Sequence, residues 1–169
     1  MLRSMTAADF DAVRDVEVEA GRAFADIGMV AIAEDDPPST SDLAAFVLDG
    51  RAWVAEVSDT VGAYLVARLV DGVEHVEQVS VRPSLRGRGL GAALIDHSAA
   101  TTLTTFRDVP WNAPYYRRLG FAETTELGPE LRELVAHEAV AIPGDWPRVA
   151  MRRVRCGPTG PVATMTWAR

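Results

Sequence analysis

The spacing of apolar positions changes period partway along the chain. Thr6, with Asp9 three residues on, precedes Phe10, Val13, Val16, Ala20 and Phe24. That three-to-four spacing behind a self-capping pair predicts an amphipathic helix. Ser39 and Asp42 repeat the signal before Leu43, Phe46 and Val47, and Gly50 supplies the stop. The period then falls to two. RAWVAEV, VGAYLVARLV and VEHVEQVSV, separated by Ser58-Asp59 and Asp71-Gly72, predict a meander of three antiparallel strands on tight turns, ended by Pro83.

Beyond the meander helical and strand patterns alternate. Leu90, Ala93, Leu94 and His97 follow RGRGLG, Arg86–Gly91, at helical spacing, so a helix starts within the glycines. TLTTF reads as a strand. Asn112, with Pro114 in the first turn, opens a short helix that closes at Gly120, and FAETT follows as a strand. Leu131, Leu134 and Val135 after Gly128-Pro129 predict a further helix, and RVAMRRVR a last strand. The turn-rich stretch from Cys156 onward predicts a loosely ordered tail over 156–169, leaving 1–155 as one α/β (α+β) domain.

Composition narrows the chemistry. A net charge of -7 argues against a nucleic-acid or anionic-membrane partner, since both need an extended basic surface. All 17 basic residues are arginine. With no lysine, Schiff-base chemistry and the phosphate-loop lysine are excluded. One cysteine, Cys156, forms no internal disulfide or metal cluster. With no apolar run of spanning length, the expectation is a cytoplasmic protein, monomer or homodimer, without a metal.

Three glycines and two arginines between a strand and a helix have three readings. A dinucleotide fingerprint needs G-x-G-x-x-G in a parallel unit, whereas the spacing here is G-x-G-x-G after an antiparallel meander. A plain tight turn leaves the arginines unexplained. An anion cradle uses every residue: glycines admit backbone amides to a pyrophosphate, the helix N-terminus adds partial positive charge, and arginines neutralise the remainder.

VEQVSVRPSLRGRGLGAALI resembles the acetyl-CoA-binding motif of the GNAT acyltransferase superfamily, with Arg86, Gly89 and Gly91 in its signature positions. WNAPYYRRLGF, Trp111–Phe121, is similar to that family's second motif, an Asn-started helix carrying Tyr and ending in G-F. The resemblance implies a GNAT fold: a mixed central sheet with an antiparallel N-terminal meander, splayed parallel fourth and fifth strands, and helices on both faces. It implies acetyl-CoA as co-substrate, whose pantetheine pairs with Val79, Ser80 and Val81, while Gly87, Arg88, Gly89, Leu90, Gly91 and Ala92 give amides to the pyrophosphate. Only about a dozen residues, Ala92–Thr102, separate motif from strand, close to the minimum for a parallel crossover. A clipped helix is the expectation.

Acetyl transfer to an amine, whose pKa lies near 10.4, needs a proton acceptor and then a proton for the thiolate. By the period of two, Val73, His75, Glu77 and Val79 share a face. Glu77 is the candidate base, directly or through water, and His75 the weaker alternative. Tyr116, four residues before Gly120, holds the place of the family's thiolate proton donor, with Tyr115 on another face. Asn112 is a cofactor contact, a helix cap, or both; Arg117 and Arg118 are phosphate partners or solvated charges. The loop ADIGMVAIAEDDPPSTS, with Asp26, Glu34, Asp35 and Asp36, would cover the acceptor side. The implied activity is transfer to a primary amine of a small molecule. Alternatives are a peptide or protein N-terminal acetyltransferase and a non-catalytic acyl-CoA sensor.

Overall fold

The computed structural model describes residues 1–141 and 146–154. Its seven strands are β1 (Leu2–Ser4), β2 (Ala52–Val57), β3 (Thr60–Val70), β4 (Val73–Val81), β5 (Thr102–Phe106), β6 (Ala122–Glu123) and β7 (Arg148–Arg152). Six α-helices accompany them: α1 (Phe10–Gly21), α2 (Val30–Ala33), α3 (Thr40–Leu48), α4 (Leu90–His97), α5 (Ala113–Arg118) and α6 (Pro129–Ala141). One sheet runs β1-β2-β3-β4-β5-β7-β6, antiparallel at every pairing except β4–β5.

Local chemistry sets the early elements. The Thr6–Asp9 and Ser39–Asp42 pairs both close capping boxes, satisfying amides that a helix start leaves bare. Ser58 and Asp59 take φ of 50° and 60°, and Asp71 and Gly72 take 51° and 76°. These left-handed pairs give the hairpins a twist that matches their strands. Burial then divides the layers. Val13, Val16 and Leu43 pack with Val54, Tyr64 and Val66 on one face; Leu94 and Ile95 pack with Leu65, Val76, Leu103 and Met151 on the other.

Three features depart from the expected pattern. β1 adds a fourth strand ahead of the predicted meander, and FAETT contributes only Ala122–Glu123 to β6. α2 forms inside the stretch expected as an open loop. Finally, the β3–β4 register slips between Val66↔Gln78 and Ala67↔Val76, leaving Glu77 without a partner. This bulge breaks the simple alternation. Val79 therefore leaves the face of His75 and Glu77, contrary to the sequence expectation, and joins Val76 in the principal core. The predicted tail, 156–169, lies outside the described residues.

The parallel pair is short. β4 and β5 meet only at His75↔Thr102 and Val76↔Leu103, and His75 Nδ1 and Thr102 Oγ1 lie 3.0 Å apart at that junction. Beyond it the strands diverge, so the β4 edge at Val79–Val81 has no strand beside it on the β5 side among the described residues. The short crossover carries an eight-residue α4.

Candidate active site

The divergence of β4 and β5 opens a cleft of about 790 Å³. Its lining includes Glu77, Val79, Ser80, Val81, Arg86, Gly87, Gly89, Leu90, Gly91, Ala92, Asn112 and Tyr116. Sequence reasoning thus selected residues scattered over forty positions that fold onto one cavity. Arg88 is the exception: its side chain is exposed and it is not among the cleft's lining residues.

One end of the cleft is built from main chain. Gly87 and Gly89 hold φ of 77° and 78°, a region that costs an L-residue about 1–2 kcal/mol. Gly89 is the N-cap of α4, so the amides of Leu90, Gly91 and Ala92 have no carbonyl one turn earlier to receive them. Gly91 is buried for a different reason. A Cβ there would lie 3.0 Å from the Tyr115 hydroxyl and 3.6 Å from Val81 Cγ2. Free amides at a helix start, with Arg86 and Arg118 on the same lining, suit an anion.

α5 closes that end. The Asn112 backbone carbonyl accepts from Tyr115 N and Tyr116 N at 2.8 and 3.0 Å, whereas its side chain makes no capping bond. Asn112 thus holds the expected N-cap position without a side-chain cap bond, and the residue lines the cleft. Tyr115 and Tyr116 stack edge to face at 5.4 Å between centroids, and both line the cleft. The expectation that Tyr115 faces elsewhere is corrected: successive positions turn by only about 100°, and its hydroxyl reaches Gly91. Burial pushes both phenol pKa values up, helped at Tyr116 by its neighbour Tyr115. Arg117 pairs instead with Glu123, and Arg118 sits 5.6 Å from the Tyr115 ring centroid.

At the other end Glu77 projects from the bulge. Its carboxylate lies 2.6 Å from Arg68 Nε and its side chain retains 33% of its exposure. Burial against the cleft walls raises its pKa above the ordinary 4.5; Arg68 and Arg148 oppose this, and Glu138 adds to it. His75 has no place on the lining: it is 1% exposed, and burial, then Arg68, hold its pKa down at about 4. A neutral histidine sealed at the strand junction is structural.

The cleft also gathers side chains the sequence reading passed over. Glu17, Phe24, Trp111, Glu138 and Arg148 all line it, together with Asp35 and Asp36; Asp26 and Glu34 do not. Glu138 accepts from Thr104 Oγ1 at 2.8 Å and from Arg148 Nε at 3.1 Å. Glu17 had one visible signal. It stands four residues after Val13, inside the apolar stripe of α1 where a carboxylate is out of place.

Residues 48–123 match the family model described as the Acetyltransferase (GNAT) domain. Among solved structures, the ribosomal-protein-S18-alanine N-acetyltransferase of Escherichia coli is 18% identical, with 90% of this chain and 92% of that one covered at a TM-score of 0.60. A Mycobacterium tuberculosis protein in complex with CoA and NLQ is 17% identical over 91% and 98% of the two chains, TM-score 0.63. A GCN5-related N-acetyltransferase from Kribbella flavida is 22% identical, TM-score 0.50, covering 73% of this chain, which spans only 33% of that longer one. Among the described residues no helix is long and apolar enough to cross a membrane.

Proposed function

Since residues 48–123 match the GNAT acetyltransferase domain and the chain shares its fold with solved N-acetyltransferases, we propose that it is a GNAT acetyltransferase that moves an acetyl group from acetyl-CoA directly to a primary amine of a small molecule. One observation carries this reading: the unpartnered β4 edge at Val79–Val81, the free amides that begin α4, and both Glu77 and Tyr116 share a single cleft. The cradle fits a pyrophosphate because a Cβ on Gly91 would crowd the Tyr115 hydroxyl at 3.0 Å and Gly87 and Gly89 occupy glycine conformations. Acetyl-CoA, when bound, supplies the activated thioester.

The residues then divide the work. Backbone groups of Val79, Ser80 and Val81 orient the pantetheine arm and offer a donor to the carbonyl oxygen. Leu90, Gly91 and Ala92 amides, with Arg86, hold the phosphates, and the Asn112 side chain adds a polar contact. Glu77 takes the proton released as the amine nitrogen bonds to the carbonyl carbon. Its raised pKa brings it closer to the base strength such a transfer needs. Tyr116 gives its proton to sulfur as the carbon–sulfur bond breaks. A phenol whose ionisation is disfavoured keeps that proton until a thiolate needs it.

The test is thiol release from acetyl-CoA across a panel of amines, beside a thermal shift with CoA. Release with some amines is expected; stabilisation by CoA with no release on any amine would make the protein a sensor. The pH profile sharpens it. Glu77 works ionised, so turnover falls as pH drops through its pKa, and that acid limb lies above 4.5. Glu77→Gln lowers turnover and removes the limb; an unchanged limb would take the base role from Glu77.

A further inference from the structure

Glu17 has a more built environment than any other carboxylate of the cleft. Gln78 Nε2 donates to its Oε1 at 2.9 Å, while Tyr64 Oη and Ser80 Oγ donate to its Oε2 at 2.8 and 2.6 Å. Tyr64 is completely buried and Ser80 is 7% exposed, so the donors are rooted in the sheet. All three are neutral, and among the described residues no arginine or histidine forms an ion pair with Glu17. Each other paired carboxylate of the cleft has its arginine: Glu77 has Arg68 and Glu138 has Arg148.

A structural brace for α1 would not need a charge. A glutamine or serine could meet the same hydroxyls without the desolvation cost of an ion. A carboxylate accepts about four hydrogen bonds, and Glu17 has used three; the unused capacity is on Oε1, on a residue that lines the cleft. A carboxylate with one vacant acceptor position and no ion-paired arginine or histidine among the described residues is complementary to a cation. Phe24, seven residues further on in the 3-10 turn that follows α1, lines the same cavity against Phe106 and Trp111, giving the cleft an apolar wall. Ser80, which Glu17 grips, stands three residues from Glu77, about 10 Å along the strand.

We propose that Glu17 seats a second protonated nitrogen of the acceptor, so that the preferred substrate is a short diamine: one amine is acetylated near Glu77 and the other stays charged on Glu17. This rests on the acetyltransferase reading and names its substrate class. No bond is made or broken at Glu17. Its pairing with the distal ammonium draws the near amine to a fixed position, and a product whose acetylated end is neutral still keeps one charge there.

The experiment compares putrescine with butylamine and cadaverine with pentylamine, in the wild-type protein and in Glu17→Gln. The quantity read is the ratio of kcat/KM for each diamine to its monoamine. The wild type favours diamines; Glu17→Gln loses that preference by about ten- to a hundredfold, the scale of one charge-assisted hydrogen bond, mainly through KM. Calorimetry of putrescine with the CoA-bound protein supplies a readout that needs no turnover, and weaker binding in Glu17→Gln is expected there as well. Tyr64→Phe keeps the charge but removes one anchor, and a smaller loss of the same ratio is expected. Equal ratios in wild type and Glu17→Gln, with equal putrescine affinity, overturn the Glu17 seat. Glu17-dependent putrescine binding without acetylation of any amine leaves the seat standing and removes the proposed transfer.

Discussion

The two ends of the cleft are made of different material. At the α4 end the chain works with its backbone: left-handed glycines at 87 and 89, first-turn amides, and the unpaired edge of β4. Away from that backbone cradle it works with side chains brought from α1, the loop after α2, β4, β5, α6 and β7, among them Glu17, Asp36, Glu77, Glu138 and Arg148. The first end suits an anion and the second, with its carboxylates, a cation. A backbone site tolerates change in side chains but not an added Cβ; a side-chain site has the opposite sensitivity. The contrast also explains why one end was read from a contiguous string while the other was not.

The largest effect should come from α5. Tyr116→Phe keeps the ring against Phe121, 6.0 Å between centroids, and removes only the hydroxyl. If that hydroxyl protonates the thiolate, turnover falls about a hundred- to ten-thousand-fold at unchanged acetyl-CoA affinity. Tyr115→Phe separates chemistry from cradle, because its hydroxyl sits over Gly91. Its loss should raise the acetyl-CoA KM and spare kcat. Equal losses of kcat in the two variants, measured by steady-state kinetics, would contradict the assignment of the proton to Tyr116.

Gly91→Asp attacks the backbone end directly. Its Cβ would meet the Tyr115 hydroxyl at 3.0 Å, and its carboxylate would repel a pyrophosphate. CoA affinity should fall at least about a hundredfold by calorimetry, equivalent to ~2.7 kcal/mol, while circular dichroism shows a folded chain. Glu138→Gln, at the side-chain end, should move CoA affinity far less. Comparable losses of CoA affinity in the two variants would dissolve the distinction between the ends.

Much of the backbone end was legible because its determinants are local. Glycines at 87 and 89 announce their own φ, Pro83 ends β4, and the capping pairs at Thr6 and Ser39 mark helix starts without reference to anything distant. The GNAT fold was the implication of the family resemblance carried by VEQVSVRPSLRGRGLGAALI and WNAPYYRRLGF, with which the order of local signals agreed. The side-chain end depends on register and packing. The bulge at Glu77 is decided by how β4 meets β3, so period-two reasoning misplaced Val79. Glu17 acquires meaning only when Tyr64 and Ser80, distant by 47 and 63 positions, arrive beside it. Asn112, expected as a cofactor contact, a helix cap or both, takes the N-cap position of α5 with no side-chain cap bond.

The smallest predicted effect tests what holds up a wall of the side-chain end. α6 carries Glu138 into the cleft, and its N-terminus is fixed from the β3–β4 hairpin: Asp71 Oδ1 accepts from Glu130 N at 2.9 Å and Oδ2 from Leu131 N at 3.1 Å. Asp71 also holds φ of 51° in the hairpin, so replacing it by alanine would confound a lost cap with turn strain. Asp71→Gly removes the cap and suits the turn. A lost cap costs about 0.5–2 kcal/mol, and for a chain of this size ~1 kcal/mol lowers Tm by about 2–4 °C. Gly128→Ala should produce a similar fall by another route, since its Cβ would lie 2.3 Å from the Asp71 carboxylate. The double variant should cost less than the sum of the two, because each acts on the same contact. CoA affinity should hold while the acceptor KM rises, as α6 loosens at the end it lines. An acceptor KM that stayed constant as Tm fell would show that the wall contributes stability without shaping the pocket.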